Sequence, residues 1–201
     1  MKKLLLLAVI AAMLYWVYTQ FLGPRTYPPG VLVKNDPVQV MIDDPMEPFK
    51  KAGFSLKPLA RYTIDARIVH TKHYFSGYVA PLVPYDVAVG WGPMSDQKVL
   101  DQLDISQGNR FYFWAFEGSP PLTNPQIICH SANMHLIPST SAVRRTIAWL
   151  RPGDIVRMRG YLVEATDPSH PEMPPWRSSL SRTDTGNGAC ELMWVESIAK
   201  Y

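Results

Sequence analysis

Residues 150–165, LRPGDIVRMRGYLVEA, carry the clearest fold signal in this chain. A Pro-Gly-Asp turn leads into a segment in which Val156, Met158 and Leu162 fall on one face. This alternation is typical of a half-buried β-strand. Gly160 lies inside the segment and predicts a bend, because glycine inside a strand often marks a bulge.

Further strands are predicted at 61–79, 110–116, 133–139 and 189–198, where β-forming residues cluster or alternate. Two short helices are expected. Ser95 can cap the first, which runs to about Leu103, and Ser139 or Thr140 can cap the second, SAVRRTIAWL. So few helices do not fit a parallel βαβ sheet. The expected fold is therefore mainly β, a small antiparallel barrel or sandwich, with an OB-like barrel as one form.

The amino terminus predicts a membrane anchor. The run 4–22 is apolar apart from Thr19 and Gln20, and about 19 helical residues match the hydrocarbon thickness of a bilayer. Lys2 and Lys3 should stay cytoplasmic, which places the rest of the chain across the membrane. A cleaved signal peptide is the alternative, although its small residues should end the run rather than lie at 8–12.

These features predict three parts: a transmembrane anchor (1–22), a proline-rich tether (23–58) and a periplasmic β-rich domain (59–201). The expected location is the bacterial inner membrane, crossed once. The chain has 20 basic and 17 acidic residues, a formal net charge of +3, and two of the basic residues precede the apolar run. Nucleic acid is not an expected partner, because phosphate binding needs a clear basic excess.

Four blocks of sequence carry a resemblance: DVAVGWGPMSD, SANMHLIPS, RPGDIVRMRGYLVE and WRSSLSRTDTGNGACELMWVE. Together they are similar to a group of uncharacterised membrane-anchored bacterial envelope proteins, over most of residues 60–198. The resemblance implies an envelope location and supplies neither an activity nor site residues. The segment 150–165 also resembles a strand entry in OB-type barrels.

Polar residues predict a binding groove. TDTGNG has the turn chemistry of a hairpin that joins a strand at 177–182 to one at 190–194. Side chains two residues apart in a strand lie on the same face. Such a polar face either lines a binding groove or is simply the solvent-exposed face of the sheet. The candidate binding residues are Trp91, Ser131, Asn133, His135, Arg177, Ser179, Arg182 and Asp184. The predicted function is a binding or assembly module without cofactor, serving another envelope protein or a cell-wall component.

The two cysteines leave an alternative open. A Cys129–Cys190 disulfide suits an oxidising compartment, and closing its loop would stabilise the fold by about 4 kcal/mol. A cysteine-dependent envelope enzyme, a transpeptidase or thiol hydrolase, would instead use Cys190 with His130 or His135. Sortases are similar in using a histidine and a later cysteine. This chain departs from them in having Gly-Ala-Cys before the sulfur and no arginine after it.

Other site types lack their signatures. His70 and His73, with the histidines near Cys129, do not have the spacing of a zinc site, so no metal is predicted. The nucleophile elbow G-x-S-x-G and the phosphate-binding loop G-x-x-x-x-G-K are also absent from the sequence.

Overall fold

The structure, a computed structural model, describes residues 2–19, 23–44, 46–186 and 188–201. Within them the protein is mainly β with a few short helices. The strands are β1 (Val38–Met41), β2 (Phe49–Lys51), β3 (Phe54–His73), β4 (Tyr85–Gly90), β5 (Asp104–Gly108), β6 (Phe111–Ala115), β7 (Ser131–Pro138), β8 (Ile155–Thr166), β9 (Trp176–Arg177) and β10 (Glu191–Lys200). The α-helices are α1 (Lys2–Val17), α2 (Gln97–Leu100), α3 (Asn124–Cys129) and α4 (Ser141–Ala148).

One sheet contains every strand except β5 and β6, which form a separate hairpin. Its order is β1-β3-β4-β7-β10-β8-β9, and β2 pairs with β3. Because β8 also pairs with β3, the strands β3, β4, β7, β10 and β8 follow one another in a cycle. The pairs are antiparallel except β7 with β10, which run parallel.

Strand β3 is long enough to pair with β8 along most of its length and with β4 near its end. Its register shifts between Pro58 and Ala60 and again between Ile68 and His70, and such bulges bend a strand. The strand predicted around Gly160 is confirmed as β8. A Cβ at Gly160 would lie 1.9 Å from the carbonyl oxygen of Trp194, so the glycine permits close approach of β10.

Alternation along the strands produces two hydrophobic cores on opposite faces of the sheet. The main core contains Ile64, Met134 and Met158, whereas the second core contains Leu56 and Leu192. Both cores are made of side chains that are almost completely buried. The cavity described below opens beside the second core.

Helix α1 exposes large apolar side chains, including Leu5, Leu7, Met13 and Trp16. Among the residues that the structure describes, no helix is both long and apolar enough to cross a membrane. Residues 1 and 20–22 of the transmembrane anchor expected at 1–22 lie outside the described residues, so the anchor stays a prediction.

The segment expected to be a tether, 23–58, contributes β1, β2 and the start of β3. Upstream of β1, Val33 is buried in the main core. The backbone N–H groups of Leu32 and Val33 both donate to the Ser95 hydroxyl, at 3.1 and 3.0 Å. These contacts fix the segment against the sheet.

Asp154 joins the two ends of this folded part. Its carboxylate is 1% exposed and pairs with Arg25 Nε at 3.1 Å and Lys200 Nζ at 2.6 Å. Arg151 Nε lies 3.8 Å away, and the Arg25 N–H donates to the Pro152 carbonyl at 2.8 Å. Several cations around one buried carboxylate offset its desolvation.

The predicted helix caps are partly right. Thr140 caps α4, since its side chain accepts from the N–H of Val143. The Ser95 cap is wrong: Asp96 caps α2, while the Ser95 hydroxyl donates to the Gly92 carbonyl at 2.7 Å. Helix α3, with a capping box at Thr123, was not predicted.

The predicted hairpin between 177–182 and 190–194 is wrong. Only β9 is extended on the incoming side, and it pairs with β8. The reason is that β10 pairs with β7 from Glu191 to Val195 and with β8 from Met193 onwards. The incoming segment contacts the residue before β10, where the Ser179 N–H donates to the Cys190 carbonyl at 3.0 Å. The turn chemistry itself is present, because Gly186 and Gly188 have φ values of +80° and +89°.

Candidate functional site

A cavity of about 430 Å³ opens beside β7, between the β3–β4 loop and the segment that links β8 to β10. Its volume lies in the usual range for small-molecule sites. Most of its walls are apolar or aromatic. The lining residues that matter here are Phe54, Phe111, Met173 and Trp176 on the apolar side and Arg110, His135 and Cys190 on the polar side.

Beside this polar side lies a polar group formed by three residues, of which two are buried and Arg110 is half-buried. The register of β4 with β7 places Asp86 opposite His135, and Arg110 reaches them from the β5–β6 hairpin. Arg110 Nη1 donates to Asp86 Oδ1 at 2.7 Å. His135 Nδ1 is 2.9 Å from the same oxygen, but the pair lacks hydrogen-bond geometry. His135 Nδ1 and the second oxygen of Asp86, Oδ2, are both buried without a hydrogen bond. Asp86 is 1% exposed, so Arg110 is its main charge compensation.

The hairpin turn that presents Arg110 has an uncommon backbone. Gly108 pairs with Phe111, so the loop contains only Asn109 and Arg110, with φ values of +50° and +69°. Two positive φ values are typical of a type I′ turn, in which glycine is usual at the second position. Tyr74 supports the arginine: its ring centroid is 3.6 Å from the guanidinium carbon, and its hydroxyl accepts from the Arg110 N–H at 3.1 Å.

Asn133 connects the hairpin to β7. Its Nδ2 donates to the Arg110 carbonyl at 2.8 Å, and its Oδ1 accepts from Gln107 Nε2 at 2.6 Å. The side-chain oxygen of Gln107, Oε1, lies 2.9 Å from His70 Nδ1. This chain of amides fixes the position of the turn, because each buried polar group has a partner.

Cys190 lies in the same cavity as His135 but forms no hydrogen bond to it. Its sulfur is 3.5 Å from Asn133 Nδ2 and 3.8 Å from the Arg110 carbonyl. Burial raises the pKa of the Cys190 thiol, and the nearby carboxylate of Glu191 raises it further. The thiol form is therefore favoured over the nucleophilic thiolate.

The predicted Cys129–Cys190 disulfide is wrong, because both cysteines are free. Cys129 ends α3, whereas the Cys190 sulfur lies against Asn133 and the backbone of Arg110. Among the described residues, no group of three or more His, Cys, Asp or Glu side chains could hold a metal ion.

The mouth of the cavity is crossed by a polar cluster. The Tyr78 hydroxyl donates to Asp167, and His170 Nδ1 lies 2.9 Å from the same carboxylate. The Tyr78 hydrogen bond is the largest of the effects that hold the pKa of Asp167 at about 2. This cluster links the β3–β4 loop to the segment after β8. Arg177, also at the mouth, pairs with Glu164 at 2.7 Å.

The structure separates the candidate residues into three groups. His135 and Arg177 line the main cavity. Ser131, Asn133 and Asp184 line a second cavity of about 290 Å³, which shares Phe111 and Cys190 with the first. The remaining candidates are Trp91, Ser179 and Arg182, which line neither cavity.

The residues outside the cavities have structural contacts. Trp91 is 1% exposed in the main core and donates to Asp36 at 2.9 Å. Ser179 donates to Asp184 at 2.7 Å, and Arg182 donates to the Pro37 carbonyl at 2.7 Å. His130 contacts the Gln126 carbonyl, so the histidine that shares a cavity with Cys190 is His135.

Sequence reasoning missed Asp86, Arg110 and Trp176. Asp86 had a signal, because it is the one carboxylate in the short apolar segment PYDVAVGW, and all of β4 is buried. The dipeptide Asn-Arg between two strands was a second signal, since asparagine favours type I′ turns.

No family model, curated protein or solved structure matches the chain.

Proposed function

We propose that the protein is a binding module of the bacterial envelope, and that its ligand occupies the main cavity. The observation that carries this proposal is the cavity itself: about 430 Å³, mostly apolar walls, and beside it the Asp86–His135–Arg110 group, whose acid and imidazole are buried. A concave apolar site with a few convergent polar groups is the usual form of a ligand pocket. The ligand is a cell-wall component or a part of another envelope protein.

The proposed architecture is an OB-like barrel. The cyclic order of β3, β4, β7, β10 and β8, with β7 parallel to β10, supports it. Barrels of this type bind ligands, including oligosaccharides, with loops that correspond here to β3–β4 and β8–β10. Both segments line the cavity, at Tyr78 and Val79 in one and at Met173 and Trp176 in the other.

The proposed location is the bacterial inner membrane, with residues 23–201 on the periplasmic side. The exposed apolar side chains of α1 support attachment of the amino terminus to lipid. A reporter enzyme that is active only in the periplasm, fused after Tyr201, should be active and remain with the membrane fraction. Activity in the soluble fraction, or an inactive fusion, would contradict this location.

Site-specific photocrosslinking in intact bacteria tests the binding proposal. A photoreactive amino acid in place of Trp176, in the cavity wall, should form one dominant adduct. The same replacement at Trp149, which is exposed and outside the cavity, should not form it. Adding Ala165→Phe, which fills the cavity from its wall, should abolish the adduct in folded protein. An adduct at both positions, or one that persists in the filled variant, sinks the proposal.

A cysteine-dependent envelope enzyme is the second candidate. It is favoured by one observation, namely that Cys190 and His135 line the same cavity while Asp86 contacts the imidazole. Such an enzyme requires Cys190 to be alkylated faster than Cys129, with a rate that falls in His135→Gln. Alkylation of Cys190 that is no faster than that of Cys129 would remove this candidate, and the raised pKa of Cys190 predicts slow alkylation of Cys190.

A further inference from the structure

We propose that the ligand of the main cavity is a carboxylate with an apolar body, held at its charged end by the Arg110 guanidinium. This inference rests on the proposed function and specifies its ligand class. The carboxylate would lie beside His135, and the apolar part would extend along Phe54 and Trp176.

Arg110 has N–H donors that Asp86 does not use. A guanidinium carries five N–H donors in a planar fork that matches a carboxylate, and Nη1 is the one that donates to Asp86. The Arg110 side chain is 19% exposed and lines the cavity, so part of the fork is accessible from it. Asp86 is only 1% exposed and lies behind the arginine, so it leaves those donors free for a second acceptor.

The backbone holds this fork in place before a ligand arrives. Arg110 adopts φ +69°, a left-handed conformation that is unfavourable for a residue with a side chain. The contacts with Asp86, Tyr74 and Asn133 keep it there. A strained, over-determined residue at a cavity is a frequent feature of binding sites, because a fixed donor loses less entropy when it binds.

The apolar wall begins next to the charged end. The His135 and Trp176 ring centroids are 4.9 Å apart, and Phe54 and Phe111 continue the lining. A ligand that filled this space therefore needs its charge at one end and hydrocarbon or an aromatic ring directly behind it. An extended polyanion is disfavoured, because the arginines of the lining, Arg110 and Arg177, are each already paired with a carboxylate of the protein.

The test compares two probes of the same shape, 4-butylbenzoate and its uncharged amide, 4-butylbenzamide, by equilibrium dialysis against the full chain. The benzoate should bind about tenfold or more tightly than the amide, because a charge-assisted hydrogen bond replaces a neutral one. Arg110→Gln should remove this preference. Arg145→Gln, at an exposed arginine on α4 outside the cavity, should keep it.

Each alternative outcome has its own meaning. Equal binding of both probes that is lost in Ala165→Phe would overturn the carboxylate class while leaving the proposed cavity function intact. No binding of either probe would count against the cavity as a site as well. Should Arg110→Gln fail to fold, Arg110→Lys is the second variant: it keeps the charge, lacks the fork, and should lower the preference for benzoate. An unchanged preference in folded Arg110→Lys or Arg110→Gln overturns the proposal.

Discussion

At the residue scale, Arg110 combines an unfavourable backbone with a side chain that compensates a buried charge. The two requirements conflict, because the turn favours glycine at this position while Asp86 requires a cation nearby. Removing one partner of a buried ion pair is costly, since it leaves the other charge uncompensated. We therefore expect the ion pair with Asp86 to favour arginine here more strongly than the backbone conformation favours glycine.

Arg110→Gly should destabilise the protein by about 2–4 kcal/mol, even though glycine suits the turn. Asn109→Gly is the matched control, since it changes the neighbouring left-handed residue without removing the Asp86 contact, and should be neutral or stabilising by up to about 1 kcal/mol. Urea unfolding followed by tryptophan fluorescence measures both. A stabilising Arg110→Gly would show that the backbone conformation outweighs the ion pair.

Glu191 predicts a pH dependence of stability. Burial raises the pKa of its carboxyl to about 8, above the ordinary value of 4.5, and Oε2 has no hydrogen bond. Between these values the folded state binds more protons than the unfolded state, so this group lowers stability as the pH rises towards 8. The effect is on the order of a few kcal/mol.

The measurement is the free energy of unfolding at pH 5 and pH 9 for three proteins. Glu191→Gln should lose the decline that wild type shows between these values, because an amide does not titrate. Glu196→Gln, at an exposed position on the same strand, should behave like wild type. Identical slopes for wild type and Glu191→Gln would refute the prediction.

At the element scale, the sequence predicts strands whose two faces differ and fails where pairing depends on distant residues. The alternation around Gly160 predicts β8 correctly, and the Ser131–Asn133–His135 alternation predicts a shared face on β7. That face is not solvated, because β4, β10 and the β5–β6 hairpin surround it, and Asn133 and His135 are buried. No local pattern reveals that β10 inserts between β7 and β8.

Gly160→Ala should destabilise the protein by about 1–3 kcal/mol or more, because its Cβ would overlap the Trp194 carbonyl and push β10 away from β8. Gly108→Ala is the control: that glycine also lies in a strand, its φ is not positive, and its added Cβ meets no atom within 4 Å. Thermal unfolding of both variants measures the difference. Equal melting temperatures would mean that β8 and β10 can separate without cost.

At the scale of the whole molecule, the number of strand and helix patterns predicts a mainly β chain, and the cysteine count suggests a bridge that the fold does not make. This prediction failed for a physical reason. The sequence spacing and an oxidising compartment allow a disulfide, but the bond also requires the two sulfur atoms to lie close together, and that depends on the packing of the folded chain. The proline-rich segment 23–58 was expected to become partly ordered where it meets the domain. Its composition does not tell which residues are ordered, whereas the structure buries Val33 and pairs β1 with β3.

The non-reduced, denatured protein should therefore contain two free thiols per chain, and a reductant should leave its melting temperature unchanged. Thiol titration with and without denaturant measures the first, and differential scanning calorimetry the second. Cys129→Ser provides the reference for one thiol. A count of zero free thiols in the non-reduced, denatured protein would instead show that Cys129 and Cys190 form a disulfide.

The ion pair between Arg25 and Asp154 also sets how far this domain can travel. Residue 25 is fastened to the sheet, and α1 ends at Val17, with the described chain continuing to residue 19. Only residues 20–24 lie between, and a fully extended chain of that length spans at most about 20 Å. Any surface that holds α1 therefore keeps the Asp154 end of the sheet close to itself. The cavity lies about one strand length further away, because Ala165, in its wall, is near the opposite end of β8 from Asp154. A ligand of the cavity would then be bound at a nearly fixed distance from that surface, because so short a connection lets the domain move little.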